Sequence, residues 1–496
     1  MDKQTVNLDG ETLSIEEFIA IVREHTPVSL SSIAQEKVNK AAEIIKKLLQ
    51  EEQRIYGVTT GFGFLQEAVI SSEDTEKLQK NLIVSHSAGV GPEFPAEVVR
   101  GMMLLQINKF ARGHSGIRLS VVSLLMKMLN ENIIPIVPSQ GSLGASGDLA
   151  PLAHLSLVLI GKGFANFKGK LMGGEEALRS SRLLPVKLKA KEGLALLNGT
   201  QTMTSLAALS VADSEYLVYI ANLAAAISME LHQSNFDSLN PLIHQSRPHN
   251  GQIEAAKSIS SFLKGSKRVQ QNIGYQDSYS IRCAPAVHGA VLDTITNAKK
   301  VVEIEMNSST DNPLIFAIDQ IYSGGNFHGQ PIAFAMDFLS IALTGLGNIS
   351  ERRIERLLNP NLSGLPPFLA LESGLNSGFM IAQYSAASLV SENKQLAYPA
   401  SVDSIPVSAN QEDHVSMGTI AANKTRKIIN HIQHILAIEL LCAAQAIDLT
   451  KIHDQIAVRI LTTYKKIREV VPMLSEDREL APDIDKCVKL IQNKVL

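Results

Sequence analysis

The sequence lacks several features that mark common functional classes. It has only three cysteines in 496 residues, so we expect no disulfide framework and a reducing, cytosolic compartment. It has no basic excess, because 46 Lys and Arg stand against 49 Asp and Glu, and this argues against a nucleic-acid surface. The polar start, MDKQTVNLDGE, is not followed by the apolar segment of a signal peptide. The uncharged stretches 193–212 and 373–391 contain Asn, Thr, Gln, Ser and Gly, which are rarely found together in membrane spans. We therefore expect a soluble cytoplasmic protein that binds neither nucleic acid nor membrane.

Strand patterns are also scarce, and helical periodicity dominates. Residues 14–17 (SIEE) form a capping-box pattern, and EKVNKAAEIIKKLLQEEQRIY repeats apolar residues every three or four positions. Long segments that are apolar on most of their surface follow at 205–233, 332–357, 377–397 and 414–449, as in the buried helices of a bundle. Only FKGKLMGG and LIFAIDQIYSGG resemble short hairpins. The prediction is a mainly α protein, with a mixed N-terminal domain over residues 1–200 and a long-helix bundle with a C-terminal helical region over residues 201–496.

One segment, SQGSLGASGDLAPLAH (139–154), is unusually rich in glycine and serine. It lacks the Gly-Lys-Ser/Thr ending of a phosphate-binding P-loop, and Asp148 would repel phosphate. No β-α-β pattern surrounds it, which excludes a Rossmann nucleotide site. A flexible surface loop is the commoner interpretation of such a run, but strongly apolar segments flank this one on both sides. We therefore expect a buried loop whose backbone has a specific role.

The tripeptide Ala145-Ser146-Gly147 offers such a role. The amide nitrogen of Gly147 can attack the carbonyl carbon of Ala145, since glycine has no Cβ to shield it, and this closes a five-membered ring. Loss of one water completes the ring, and loss of the Ser146 hydroxyl as a second water leaves an exocyclic methylene. The product is an electrophile made from the chain itself. Ala-Ser-Gly is nevertheless a common tripeptide, and chemistry alone makes this only one possibility.

The loop and seven other motifs resemble the methylidene-imidazolone (MIO) ammonia-lyase family, in the family's order and through nearly the whole chain. The motifs are YGVTTGFG (56–63), NLIVSHSAGVG (81–91), GSLGASGDLAPLAHL (141–155), KEGLALLNGTQ (191–201), QDSYSIRC (276–283), TDNPLIF (310–316), SGGNFHGQP (323–331) and SANQEDHVSMG (408–418). The resemblance implies an aspartase/fumarase-like helical fold and a homotetramer with active sites shared between subunits. It also implies an MIO group formed autocatalytically from Ala145, Ser146 and Gly147, without pyridoxal phosphate. No histidine and carboxylate pair has metal-ligand spacing, so we expect no metal.

An electrophile suits the reaction of this family, the non-oxidative loss of ammonia from an amino acid. A general base contributes ~10²–10⁴-fold, or roughly 3–5 kcal/mol of the ~8–23 kcal/mol that enzymes supply. An electrophile that captures the α-amine improves the leaving group and can supply part of the remainder.

The resemblance also assigns catalytic and substrate-binding roles. Tyr56 corresponds to the base, although its phenol needs a lowered pKa and a buried loop tyrosine is the commoner interpretation. Tyr279 corresponds to the phenol that assists elimination. Arg282 corresponds to the carboxylate anchor, although an arginine in isolation is more often an ordinary surface or ion-pair residue.

Three further residues correspond to contacts around the ring and the substrate. Asn198 and Gln276 match polar residues near the ring and the substrate's amine or carboxylate, although either could be a buried amide paired with backbone. Phe327 matches a wall of the pocket. An aromatic residue in an apolar context is more often core, and His328 beside it is equally ambiguous.

Two residues indicate the branch that acts on L-histidine and forms trans-urocanate and ammonia, the first step of histidine degradation. His86 falls where that branch places a histidine, although some tyrosine lyases share it. Glu412 is more specific, because phenylalanine and tyrosine lyases usually lack this carboxylate. Its alternative role is to cap a helix beginning near His414. Thr59 departs from the asparagine common in bacterial members of the branch. A tyrosine or phenylalanine lyase, an aminomutase and an inactive helical scaffold remain the alternatives.

Overall fold

The structure is a computed structural model that describes residues 5–51, 60–61, 67, 70, 74–269 and 276–496. It is mainly helical, as predicted. The helices are α1 (Ile15–Val22), α2 (Ser32–Gln50), α3 (Thr75–His86), α4 (Ala96–Ala111), α5 (Leu119–Asn130), α6 (Leu149–Leu159), α7 (Gly174–Ser180), α8 (Glu192–Leu197), α9 (Gln201–Leu231), α10 (Pro241–Gln245), α11 (Asn250–Phe262), α12 (Tyr279–Arg282), α13 (Ala284–Met306), α14 (Gln330–Leu358), α15 (Pro360–Ser363), α16 (Met380–Leu396), α17 (Gly418–Thr450), α18 (Val458–Val470) and α19 (Ala481–Gln492).

The local signals in the sequence account for where several helices begin and which face they bury. Ser14 caps α1: its hydroxyl accepts from the Glu17 amide at 3.2 Å, and the Glu17 carboxylate accepts from the Ser14 amide at 3.0 Å. Helix α2 buries one stripe that includes Val38, Ala41 and Ile45. The long apolar helices are confirmed as α9, α14, α16 and α17, with ends that differ from the predicted ones by a few residues.

The strands are short and form small sheets. They are β1 (Val6–Leu8), β2 (Val28–Leu30), β3 (Val90–Glu93), β4 (Ile134–Pro135), β5 (Pro138–Gln140), β6 (Phe164–Phe167), β7 (Lys170–Gly173), β8 (Leu314–Ala317) and β9 (Gln320–Tyr322). The two predicted hairpins are confirmed as β6–β7 and β8–β9, both antiparallel. The parallel pair β1–β2, the antiparallel pair β3–β5 and the addition of β4 to β6 were not predicted. Strands of two to four residues are too short to show a period-2 pattern.

By their internal contacts, the residues form two compact units. Unit 1 comprises residues 1–212, 299–336 and 399–423, and unit 2 comprises residues 213–298, 337–398 and 424–496. The predicted division into 1–200 and 201–496 differs from these units, because two later segments pack with the N-terminal part of the chain. As a division into domains it stays a prediction.

Among the described helices, α14 and α17 are long and apolar enough, by length and composition, to cross a membrane. However, 61% and 78% of their most apolar windows are buried inside the protein, as in the core helices of soluble proteins.

The expected start of the last long helix near His414 was wrong. Helix α17 begins at Gly418, because Met417 before it has a left-handed φ of +56° and donates its amide to the Leu143 carbonyl. Glu412 therefore does not cap this helix. Its backbone pairs instead with Val407 in an isolated antiparallel bridge.

Candidate active site

The glycine-rich loop lies in unit 1, between strand β5 and helix α6. Gly141, Gly144 and Gly147 all have left-handed φ values, of +132°, +66° and +78°. A Cβ atom on Gly144 would lie only 2.2 Å from Oγ of Ser416, whose hydroxyl donates to the Gly144 carbonyl at 3.2 Å. The loop thus needs glycine both for its backbone conformation and for its close contact with the segment before α17.

Gly147 has an equally close neighbour in Gly199, which follows helix α8. The two glycines form a parallel bridge, and the Asp148 amide donates to the Gly199 carbonyl at 2.8 Å. A Cβ atom on Gly147 would lie 2.2 Å from that carbonyl oxygen. The NGTQ motif is therefore in direct backbone contact with the tripeptide.

Asp148 is fully buried and joins the loop to two distant parts of the chain. One oxygen of its carboxylate accepts the amides of Thr202 and Met203 at 2.9 and 3.0 Å, in the first turn of α9. The other oxygen accepts hydrogen bonds from the hydroxyls of Ser142 and Thr419. Burial raises the pKa of this carboxyl to about 6, although its four hydrogen bonds act in the opposite direction. No role for Asp148 was predicted from the sequence. The available signal for such a role was that Asp148 is a single acidic residue within an otherwise uncharged, apolar segment.

A cavity of about 270 Å³ opens beside the tripeptide. Its walls contain Ala145, Ser146, Asn312, Ser323, Phe327, His328, Gln411, Glu412, Asp413 and His414. Four of the residues predicted for the site are therefore together in this cavity, from three motifs more than 80 residues apart in sequence. Phe327 reaches it from a turn after β9, which is held where the His328 amide donates to the Gly325 carbonyl at 2.9 Å.

Glu412 lies beside the tripeptide, because its side chain lines the same cavity as Ala145 and Ser146 and is close enough for the Ser146 hydroxyl to lower its pKa. Burial raises the pKa of Glu412, and the Ser146 hydroxyl offsets part of this. A half-buried carboxylate in a cavity of this size is suited to accept an N–H from a small ligand.

The histidine partner of His328 was not predicted from the sequence. The rings of His328 and His414 stack with centroids 5.7 Å apart and an angle of 9° between their planes. Burial lowers the pKa of His328, which favours its neutral form. Gln411 and Asp413 were also missed, although all three residues lie in the SANQEDHVSMG motif and its match to the family was the available signal.

His86 and Asn198 also lie in unit 1 but are not among the described residues that line the cavity. His86 ends helix α3, is half-buried and has Nδ1 3.1 Å from Oγ of Ser85, and its burial lowers its pKa. Asn198 is 5% exposed and follows the last residue of α8, with its carbonyl accepting from Lys109 at 2.8 Å. Asn198 is linked to the tripeptide by the next residue, Gly199, whose backbone contacts Gly147 and Asp148.

The other predicted residues are in unit 2 or outside the described residues. Tyr279 and Arg282 begin and end the one-turn helix α12 in unit 2, with the guanidinium carbon 4.7 Å from the Tyr279 ring centroid. Tyr279 is 71% exposed. Within the described part of the chain, Nε of Arg282 is buried and has no hydrogen-bond partner. Gln276 is exposed, and Tyr56 lies outside the described residues.

In the described residues, no group of three or more His, Cys, Asp or Glu side chains is arranged to hold a metal ion. The prediction that the reaction needs no metal stays a prediction.

The chain is similar to known proteins over nearly its whole length. The sequence model of the aromatic amino acid lyase family matches residues 13–469. A histidine ammonia-lyase of Caldanaerobacter subterraneus subsp. tengcongensis is 51% identical over 491 residues, which are 98% of this chain and 96% of the relative.

Solved structures show the same similarity. The crystal structure of histidine ammonia-lyase from Trypanosoma cruzi superposes with a TM-score of 0.92 at 42% identity, over 99% of this chain and 94% of the other. Tyrosine aminomutase from Streptomyces globisporus superposes with a TM-score of 0.95 at 38% identity, over 99% and 97%. With a family match over most of its length and a relative about half identical from end to end, the chain belongs to the aromatic amino acid lyase family.

Proposed function

We propose that this protein is an ammonia-lyase that converts L-histidine to trans-urocanate and ammonia without oxidation, the first step of histidine degradation. The observation that carries the proposal is the position of Glu412, a half-buried carboxylate that faces Ser146 across the cavity. An imidazole has an N–H donor that this carboxylate can accept, whereas a phenyl ring has none. The relatives of highest identity described above act on histidine by name, in agreement with this choice.

We further propose that Ala145, Ser146 and Gly147 form the MIO group. Two observations fit this assignment. Gly147 has a left-handed φ beside the Gly199 carbonyl, where a Cβ has no room, and Ala145 and Ser146 line the cavity. When formed, the ring supplies an electrophile for the substrate's α-amine, which makes ammonia a better leaving group and requires no pyridoxal phosphate.

The residues around the ring bind and orient the substrate in this proposal. Glu412 accepts the imidazole N–H, and His86 contributes to the imidazole end of the site. Phe327 provides an apolar wall beside Ser146. The low pKa of His328 keeps that ring neutral, so that it adds no positive charge to the cavity beside Glu412.

The remaining assignments concern the carboxylate and the protons. Arg282 binds the substrate carboxylate, for which its buried Nε, without a hydrogen-bond partner among the described residues, is suited. Tyr56 removes the β-proton, and Tyr279, over which the Arg282 guanidinium lies, assists elimination. Asn198 and Gln276 contact the amine or the carboxylate.

We propose that the active enzyme is a cytoplasmic homotetramer with active sites shared between subunits. Unit 2 exposes large apolar side chains on α14 and α16. Phe338 and Ile341 are 61% and 50% exposed, and Ile381 and Tyr384 are 55% and 63% exposed. Apolar surface of this kind is typical of contacts between subunits. The 71% exposure of Tyr279 in the single chain fits a role toward another subunit.

A substrate panel tests the proposal. The purified protein is incubated separately with L-histidine, L-tyrosine and L-phenylalanine, and the ultraviolet absorbance of each unsaturated acid is followed. We expect rapid formation of urocanate and little coumarate or cinnamate. Coumarate, cinnamate or a β-amino acid as the main product would contradict histidine as the substrate. No product at all, together with an intact mass that lacks the loss of two waters, would favour an inactive scaffold.

A further inference from the structure

A buried lysine in unit 1 contacts the backbone at the end of α8, directly before Gly199, the residue that contacts the tripeptide. Lys109, near the end of α4, is 2% exposed, and its Nζ donates to the carbonyls of Ala195 and Asn198 at 2.8 Å each. These carbonyls lie at the C-terminal end of α8, where backbone carbonyls have no partner within the helix. Lys109 therefore satisfies two buried acceptors at once.

The contact with Asn198 has a consequence beyond the end of the helix. The Asn198 carbonyl belongs to the planar peptide that joins it to Gly199, so a bond to this oxygen fixes the orientation of the whole plane. Gly199 has a φ of +131° and is free to rotate where other residues are not. Its carbonyl accepts the Asp148 amide at 2.8 Å, directly after the tripeptide.

Burial favours a neutral amine over a fixed charge at this position, and two charged side chains lie nearby. Lys191 pairs with Asp311 at 2.9 Å, and both are fully buried. Burial lowers the pKa of Lys109 to about 7, with Asp311 raising it and Lys191 lowering it. A neutral amine still has the two N–H groups that the two carbonyls need.

We propose that Lys109 is a positioning residue for ring formation: it holds the Asn198–Gly199 peptide against Gly147 and Asp148, and so keeps the tripeptide in the conformation from which it closes. The inference rests on the proposed MIO group. In the closure, the Gly147 nitrogen forms a bond to the Ala145 carbonyl carbon, and its proton moves to the carbonyl oxygen. That oxygen leaves as water with the Ser146 amide proton, and the Ser146 hydroxyl leaves as a second water with the Cα hydrogen. The reaction needs no oxidant, reductant or co-reactant.

The chain offers a matched control one turn earlier in α4. Gln106 is also fully buried, and its Nε2 donates to the Leu196 carbonyl at 2.7 Å, at the same end of α8. This bond does not involve the Asn198–Gly199 peptide. Lys109→Met and Gln106→Met therefore each remove a buried donor to α8, but only the first frees the peptide that contacts the loop.

The test combines intact-mass spectrometry of the full-length protein with steady-state kinetics on L-histidine. For Lys109→Met we expect the fraction of chains lacking two waters to fall about tenfold or more, because intramolecular closure depends steeply on alignment. The kcat per total chain should fall in proportion while KM stays within about twofold, since the rings that do form bind substrate normally. Gln106→Met should keep the cyclised fraction within about threefold of wild type. Lys109→Gln, which retains an uncharged NH₂ donor, should recover part of the loss seen in Lys109→Met.

Several results would overturn the inference. One is full cyclisation in Lys109→Met, and another is an equal loss in Gln106→Met, which would indicate general destabilisation of α8. Failure of both Lys109 variants to fold, judged by circular dichroism and gel filtration, also counts against it, because a positioning role predicts a folded chain. A wild-type protein that shows no loss of two waters would instead refute the MIO group itself, which separates the two failures.

Discussion

Asp148 allows a sharp prediction, because two substitutions at this position should have different effects. Its carboxylate accepts two backbone amides on one oxygen and two hydroxyls on the other. Amides only donate, whereas hydroxyls also accept. An asparagine can therefore direct its oxygen toward Thr202 and Met203 and its NH₂ toward Ser142 and Thr419, and so retain all four contacts. An alanine retains none of them.

The magnitudes follow from burial. Asp148→Ala leaves two buried backbone amides without an acceptor, each costing about 1–3 kcal/mol, so we expect the free energy of unfolding to fall by about 2–6 kcal/mol. Asp148→Asn resembles the protonated carboxyl. The pKa of Asp148 rises from 3.8 to about 6 on folding, which disfavours the buried charge by about 3 kcal/mol above pH 6. At pH 8 the asparagine variant should therefore be no less stable than wild type.

The same shift predicts a pH dependence with a definite sign. Between about pH 4 and pH 6 the folded state holds the Asp148 proton more tightly than the unfolded state, so wild-type stability falls as the pH rises through this window. The asparagine variant lacks this contribution. The difference in free energy of unfolding between the two proteins therefore reports on Asp148 alone, because the other carboxyls are common to both. Urea unfolding at fixed protein concentration, at pH 4, 6 and 8, measures it. Equal destabilisation by asparagine and alanine at pH 8 would refute the reasoning.

Three further predictions concern the ring, the substrate and the core of unit 2. Ser146→Ala should fold normally and form no exocyclic methylene, because the hydroxyl that leaves as the second water is missing. It should form urocanate at least about 10²-fold more slowly, since the base alone leaves at least ~3 kcal/mol of the required stabilisation unsupplied. Turnover like that of wild type would exclude the MIO mechanism. Glu412→Gln should lower kcat/KM for histidine by about 10–100-fold, which corresponds to a charged hydrogen bond of ~1.5–3 kcal/mol. Because burial raises the Glu412 pKa, protonation of this carboxyl should contribute to the fall of wild-type kcat/KM at acidic pH, and this fall should be weaker in Glu412→Gln. An unchanged fall would show that another group titrates there. Arg353→Met breaks a fully buried pair with Glu439, whose carboxylate it contacts at 2.5 and 3.0 Å, and should cost about 3–5 kcal/mol in urea unfolding. Adding Glu439→Leu should recover most of that loss, and a single variant as stable as wild type would contradict the prediction.

The arginine in this pair also connects to the helix that carries two predicted site residues. Arg353 has one nitrogen 3.4 Å from the Ser280 carbonyl in α12, and 3.4 Å from Nε2 of His288. Burial, with Arg353 adding to the effect, lowers the pKa of His288 well below its usual range, so this ring is neutral beside the guanidinium. No local pattern indicates this cluster, since its other members lie 65 to 86 residues from Arg353 along the chain.

The helices and the two hairpins were predictable because their causes are local. The Ser14–Glu17 capping box, the buried stripe of α2 and the apolar length of α9 are all properties of neighbouring residues. The pairs β1–β2 and β3–β5 were not predictable in this way, since each strand of three or four residues depends on a partner far along the chain. The start of α17 was missed for the same reason, because the amide of Met417 bonds to the carbonyl of Leu143, 274 residues earlier in the chain (417 − 143).

The sequence by itself determined the helical class, the family motifs and the tripeptide that can close on itself, because periodicity, turn chemistry and the order of motifs are written along the chain. Only the tertiary structure decided that Glu412 pairs with Val407 and faces Ser146 rather than capping a helix. It also decided that Gly199 leaves no room for a Cβ at Gly147, and that three donors from distant segments join Ser142 around Asp148. These contacts depend on how distant segments pack in three dimensions. Packing brings the groups close together, and burial shifts the pKa values of their carboxyls, and neither effect is encoded in a local pattern.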